Sequence, residues 1–271
     1  MINDWYYKTI WRMNLISHTN LLAGGPAPPG DTILINGTNK SPSGTGSYNK
    51  VKITKGKKYR LRLINGSIDA NIRVSLDGHP FTVITADFVP IKTYTANWLL
   101  LAIGQRYDVI IYANNTIGNY WFRAEPATQC TSRNGYFGRS IFSYEGAPDA
   151  DPTTNVLAPI PTTCKEEGPL TPWVVNNVPS DAFVSQARNL NVDLHVTQVT
   201  TNGQNIVFWG VNMTAIDIDW RQPTLQYVFD GNTSYPTSYN LIEIPNGQTW
   251  TYWIIQETQG TIAPIPHPIH L

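Results

Sequence analysis

The sequence carries no net charge: nineteen basic and nineteen acidic residues cancel, and only 14% of its 271 residues are charged. A chain without a net field exerts no long-range pull on a polyanion, so neither nucleic acid nor an anionic membrane surface is expected as a partner. Long apolar runs are missing as well. A membrane helix needs roughly 20 consecutive apolar residues, and the longest run here is a strand-sized piece, Trp98-Leu99-Leu100-Leu101-Ala102-Ile103. The first residues, Met1-Ile2-Asn3-Asp4-Trp5-Tyr6-Tyr7, have neither the basic start nor the apolar stretch of a secretory leader. No sustained amphipathic helical pattern stands out, and the stretch from Asp4 to Asn20 reads as the end of a strand leading into a loop. Cysteine and histidine are scarce, with two and five residues.

What the chain does have is short alternating segments bounded by Gly, Pro, Asn and Asp. In Tyr59-Arg60-Leu61-Arg62-Leu63-Ile64 the leucines turn to one face and the arginines to the other, the period of a half-buried strand. Comparable strands are expected at 32–35, 72–76, 81–85, 98–103, 107–112, 120–124 and 140–144. After a proline-rich stretch they resume at 190–197, 205–211, 225–229, 241–244 and 250–255. The expected fold is all-β, an antiparallel sandwich followed by a second unit that is cut short. The boundaries are 1–147 for the first unit, 148–169 for a Pro-rich linker and 170–271 for the second.

Cys130 and Cys164 flank much of that linker. A bridge between them would close the loop and, in the chain-entropy model, stabilise by about 3 to 4 kcal/mol. The alternative is a pair of buried free thiols. Asn-x-Ser/Thr sequons begin at Asn36, Asn39, Asn65, Asn114, Asn212 and Asn232. Asn39 is set aside because Pro42 follows its serine. The remaining five, taken with the cysteine pair, point to a secreted, extracellular glycoprotein whose leader lies outside this chain.

Two of the five histidines sit three apart among alternating prolines in the last stretch, Ala263-Pro264-Ile265-Pro266-His267-Pro268-Ile269-His270-Leu271. On a helix, His267 and His270 would share a face and serve one metal. The prolines forbid a helix and enforce an extended arm, in which an odd offset turns the two imidazoles to opposite sides. One arm would then feed two different metal sites. Read without further context, the pair could equally be two ordinary imidazoles beside a proline-rich end.

His-Pro-Ile-His-Leu resembles the start of the His-Pro-x-His-Leu-His-Gly-His motif of laccases, within the blue multicopper oxidases. Asp31-Thr32-Ile33-Leu34-Ile35-Asn36-Gly37-Thr38, Arg60-Leu61-Arg62-Leu63-Ile64-Asn65, Gly104-Gln105-Arg106-Tyr107-Asp108-Val109, Asn119-Tyr120-Trp121-Phe122 and Gly231-Asn232-Thr233-Ser234-Tyr235-Pro236 stand in the order seen in ascomycete-type fungal laccases. The resemblance implies cupredoxin-like Greek-key sandwiches. Residues 1–147 would be an N-terminally incomplete second domain, and 170–271 a C-terminally truncated third. It implies copper, four ions in the whole oxidase, with His267 a ligand of the type 1 ion and His270 of the type 2 ion.

The implied partners are phenols or aromatic amines and dioxygen, acting on a monomer, with lignin breakdown among the possible roles. Asp69 falls where the family places its substrate-binding acid, which takes the proton of the phenol. Read locally, Asp69 is a turn residue capping its own backbone. Ala27, Pro28, Leu194, Trp209, Ala263 and Ile265 would line an apolar pocket, with the Trp209 indole the best stacking surface. Val207 and Ala263 stand where ascomycete relatives often carry large aromatics, implying a wider pocket. His18, His79 and His195 match no ligand position and are read as structural.

The family's full copper set needs ten histidines and a cysteine thiolate, so the 271 residues alone are expected neither to hold it nor to oxidise phenols. Two other readings remain at this point. One is a multicopper oxidase for metal ions or ascorbate. The other is a redox-inactive secreted cupredoxin-like protein with a binding or wall-associated role.

Overall fold

The computed structural model describes residues 1–23, 26–180, 187–198, 205–243 and 250–256. These divide into two compact units. The first contains Met1–Leu15 and Pro28–Val175, and the second contains Ile16–Ala27 and the described residues after Val175.

Unit 1 is a β-sandwich. One sheet has the order β3 (Asn49–Ile53), β11 (Gly138–Tyr144), β10 (Asn119–Pro126), β5 (Ile72–Leu76) and β8 (Leu99–Leu101). The facing sheet has the order β4 (Lys58–Ile64), β9 (Arg106–Tyr112), β6 (Phe81–Ala86) and β7 (Val89–Ala96). A two-stranded ribbon, β1 (Ile2–Trp5) antiparallel to β2 (Thr32–Ile35), completes the unit. Alternation fixes the register of β9: Tyr107, Val109 and Ile111 are fully buried while Asp108 and Ile110 are half-exposed. With Leu63, Phe81 and Val83 they meet Ile72, Val74, Leu76, Phe122 and Phe142 in one core.

Strand β5 departs from alternation because both of its faces are covered. Its outer face is sealed by the Pro-rich segment expected to be a linker, which runs along unit 1 as a strap. The guanidinium of Arg73, on β5 and completely buried, donates to Glu167 and to the Thr163 carbonyl. The other Glu167 oxygen accepts the Leu100 amide at 2.8 Å. Glu166 accepts from the Tyr107 hydroxyl and from Gln105. Trp98 Nε1 donates to the Ala158 carbonyl at 2.8 Å, and Thr154 Oγ1 donates to Asp77 at 2.7 Å. Gly168 lies flat on Tyr94, where an added Cβ would come within 2.5 Å of the ring. The Cys130–Cys164 disulfide, expected from the sequence, ties the strap to the loop after β10.

Unit 2 contains β12 (Ala187–Gln198), antiparallel to β13 (Asn205–Val211) and parallel to β14 (Tyr252–Gln256). Two sequence expectations are corrected by helices. Residues 9–22 contain no Gly or Pro and form α1 (Ile10–Leu22) instead of a loop. Its Ile10, Trp11 and Leu15 are exposed, and Met13 is the one buried residue among those of the helix whose side chains are described, so no clean amphipathic stripe marks it in the sequence. Residues 225–229 lie in α2 (Thr224–Phe229), not in a strand. Extended Pro223 precedes the first turn, and Gln226 Nε2 reaches Asp230 Oδ1 at 2.8 Å one turn on. Residues 241–243 are not in a strand, and 244 lies outside the described residues. No helix among the described residues is long and apolar enough to cross a membrane.

Candidate functional site

The predicted acid, Asp69, sits in the loop that follows β4, and that loop is held from three sides. Asn65 is buried, with 1% exposure. Its amide nitrogen donates to the carbonyls of Ala70 and Leu101, both at 2.9 Å, and its oxygen accepts the Ser67 amide at 3.0 Å. At the other end Asn71 donates its amide to Ser132 Oγ at 2.8 Å, and its side-chain oxygen accepts the Ile103 amide at 3.2 Å.

Between these anchors the loop wraps a carboxylate that sequence reasoning passed over. Asp4 of β1 is buried, at 4% exposure. Its Oδ1 accepts the Ile68 amide at 3.0 Å, and its Oδ2 accepts the amides of Asp69 at 2.8 Å and Ala70 at 3.1 Å. The Asp4 amide in turn donates to Ser67 Oγ at 2.9 Å. A signal for Asp4 did exist. It occupies the inward position two after buried Ile2, and a carboxylate at an inward strand position must find donors.

With its backbone fixed in this way, Asp69 presents its side chain outward. Partial desolvation and the neighbouring charge of Asp4 push its carboxyl above the usual carboxylate range, and Arg133 pulls the other way. Half-buried Tyr6 lies in the same field. Burial, followed by the charges of Asp4, Asp69 and Asp31, raises its phenol far above the ordinary value, so it stays protonated. The cluster is therefore acidic, with one opposing cation and a carboxyl more basic than usual.

The remaining predicted positions are distributed as follows. Ala27 is exposed and Pro28 half-buried, in a stretch without regular structure. Leu194 and Trp209 are directly opposed in the β12–β13 ladder, and Val207 stands opposite Val196. Ala263, Ile265, His267 and His270 lie outside the described residues. A cavity of about 200 Å³ in unit 1 is lined by Ile2, Leu61, Leu63, Phe122 and Phe142 among others; of the predicted site residues that are described it takes in the sequon Asn36, and none of those assigned to substrate or proton transfer.

The described residues do not fit a copper centre. Among them no group of three or more His, Cys, Asp or Glu side chains is placed to hold a metal. Both cysteines are spent in the disulfide. His79 has one ring nitrogen 2.8 Å from the Asp77 carbonyl oxygen and the other 2.7 Å from the Tyr144 hydroxyl, and burial holds its pKa below the usual histidine value. His18 is exposed on α1, and His195 stands opposite Phe208 in β12.

Of the five sequons, Asn36, Asn114, Asn212 and Asn232 are exposed. Asn65 differs from these: it is buried, both of its amide hydrogens are donated inside the protein, and a glycan there would have to displace the loop that carries Asp69.

The Multicopper oxidase family profile matches residues 1–147. Over its whole length the chain is 48% identical to "Laccase-3" of Botryotinia fuckeliana, of which it covers 60%, and 38% identical to the "Laccase" of Neurospora crassa, of which it covers 42%. The crystal structure of the laccase from Botrytis aclada superposes with a TM-score of 0.70 at 31% identity, covering 89% of this chain and 44% of that one. The chain thus spans about half the length of these relatives. A sandwich that superposes on that of a fungal laccase and a profile match over more than half of its residues agree: the chain belongs to the multicopper oxidase family.

Proposed function

We propose that this chain is part of a secreted laccase-type oxidase that removes single electrons from phenols and aromatic amines, with dioxygen as the terminal oxidant. Similarity to fungal laccases along the entire chain supports the substrate class. The observation that carries the chemistry is Asp69, an exposed carboxyl of raised pKa on a loop whose amides are gathered by Asp4. A phenol that gives up one electron becomes strongly acidic. A carboxylate within reach of its hydroxyl accepts the proton as the electron leaves, so that a neutral aryloxyl radical is released. A carboxyl pushed upward in pKa by burial and Asp4 is a better base for this step than an ordinary surface aspartate.

Membership of the family implies copper. In this reading the whole oxidase holds four copper ions, and His267 and His270 serve the type 1 and type 2 ions from opposite sides of the extended arm. Besides these two histidines, the share of this chain in this reading is substrate binding and proton transfer. Ala27, Pro28, Leu194, Trp209, Ala263 and Ile265 form the apolar wall for the ring. The enzyme works as an extracellular monomer glycosylated at Asn36, Asn114, Asn212 and Asn232 and needs neither nucleic acid nor membrane; lignin breakdown is one candidate role beside pigment synthesis and detoxification.

The test is Asp69→Asn in the full-length, copper-loaded oxidase that contains this sequence. With a phenol such as 2,6-dimethoxyphenol, kcat/KM is expected to fall on the order of 100-fold. With an uncharged ferrocene, which yields an electron and no proton, it should stay within about threefold of the parent. Equal values for parent and variant on the phenol would sink the proposal. Turnover of ferrous ion in place of phenols would favour a metal-ion oxidase, and absence of any turnover a redox-inactive binding protein.

A further inference from the structure

The strongest unassigned feature of the molecule is Asp4, a buried carboxylate whose contacts all converge on the loop of Asp69. Its hydrogen-bond partners are the amides of Ile68, Asp69 and Ala70, and its own amide is returned to Ser67. An ionised carboxylate is an acceptor only, and here each of its contacts is a backbone donor. The contact spans 65 residues of sequence, so nothing in the loop itself enforces it. Taking three peptide hydrogens into one buried carboxylate fixes the direction in which the Cα–Cβ bond of Asp69 leaves the backbone.

We propose that Asp4 is the positioning residue of the phenol-binding site, holding Asp69 in place through its three amide contacts and standing beside it as a second carboxylate. The proposal rests on the reading of Asp69 as proton acceptor. The charges that act on Asp69 are Asp4, from β1, and Arg133, from the loop that follows the disulfide cysteine Cys130; Tyr6, in the turn after β1, feels Asp4, Asp69 and Asp31, the residue before β2. Of these only Arg133 opposes Asp4, and the tyrosine remains neutral. A like charge beside Asp69 favours its protonated form, so removing that charge lowers the proton affinity of Asp69.

The test is Asp4→Asn in the same full-length, copper-loaded oxidase, with kcat/KM measured against pH for 2,6-dimethoxyphenol and for an uncharged ferrocene. An asparagine of the same shape can accept through one atom only, so it loses part of the grip together with the charge. The ratio of phenol to ferrocene kcat/KM is expected to fall about tenfold, and the acid limb of the phenol profile to move to lower pH. Equal losses for both donors would assign Asp4 a structural role only, and an unshifted acid limb would remove its electrostatic part; either result overturns the proposal.

Should Asp4→Asn not accumulate as folded enzyme, Ser67→Ala decides, because it removes the return contact and keeps the charge. The phenol-to-ferrocene ratio should then fall about threefold with the acid limb unmoved, and an unchanged ratio overturns the proposal. Asp69→Asn measured alongside separates the two levels. A variant at Asp69 that spares phenol turnover refutes the proton-acceptor reading. One that abolishes it while Asp4→Asn leaves the ratio and profile intact refutes the positioning role alone.

Discussion

Replacing Glu167 with alanine should loosen unit 1 more than any loop substitution of similar size. Glu167 is the acceptor that closes the strap over β5. One of its oxygens takes the guanidinium of Arg73, whose side chain is 0% exposed, and the other takes the Leu100 amide at 2.8 Å. Burial raises the carboxyl pKa of Glu167, opposed by the Leu100 amide and Arg73, so both contacts compensate for its desolvation.

Glu167→Ala leaves the cation in the protein interior with the Thr163 carbonyl as its one remaining partner among the described residues. Removing one member of a buried ion pair costs about 3 to 5 kcal/mol. Taking about 4 kcal/mol, at roughly 1.4 kcal/mol per decade, predicts amide exchange in β5 faster by about a thousandfold. Hydrogen exchange read by NMR or mass spectrometry over residues 72–76 measures it. The control is the double variant Arg73→Met with Glu167→Met, which has no unpaired charge and forfeits chiefly the Leu100 contact, about 1 to 3 kcal/mol. If Glu167→Ala exchanges no faster than the double variant, the unpaired-cation argument is wrong.

Two further outcomes test the same framework. Substituting Cys130 and Cys164 with serine should lower the stability of unit 1 by about 2 to 4 kcal/mol in urea unfolding, since the bridge is the covalent tie between strap and sheet; no change in midpoint would show that the hydrogen bonds of the strap suffice. Asp69→Asn should raise the melting temperature of the chain at neutral pH and not at pH 3. The sign follows from the raised carboxyl pKa: ionisation is less favourable folded than unfolded, so stability present below the ordinary carboxyl value of 3.8 is lost as pH rises through the folded value. A gain of the same size at both pH values would contradict that shift.

The parts of the fold that alternate were legible from residues alone. Leu61 and Leu63 against Arg60 and Arg62 mark β4, and Tyr107, Val109 and Ile111 mark β9, because a strand with one wet face writes its burial into the sequence. The failures have physical reasons. In α1 exposed Ile10, Trp11 and Leu15 erase the stripe that would announce a helix, and in α2 a run of Leu, Tyr, Val and Phe mimics a strand while Pro223 and the Gln226–Asp230 contact decide otherwise. The linker reading rested on proline content. It missed that Glu166, Glu167 and Trp98 tether that segment to the sheets, a matter of tertiary partners that composition does not carry.

The site divides in the same way. Asp69 could be placed by resemblance, as could His267 and His270, which lie outside the described residues. The grip on Asp69 could not be read locally, because Asp4 reaches it across 65 residues. Sequons illustrate the converse limit. Asn65-Gly66-Ser67 satisfies the acceptor pattern, yet its asparagine holds the loop together from inside the protein.

The most direct measurement of the central claim, that Asp4 acts on phenol oxidation through Asp69, is a double-mutant cycle on the full-length, copper-loaded oxidase. The quantity read is the ratio of phenol to ferrocene kcat/KM in the parent, in Asp4→Asn, in Asp69→Asn and in the double variant. If Asp4 works through Asp69, Asp4→Asn lowers the ratio in the parent and changes it by less than about twofold once Asp69 is asparagine. A full further drop in the double variant would mean that the two carboxylates act independently, and the account of the site would be wrong.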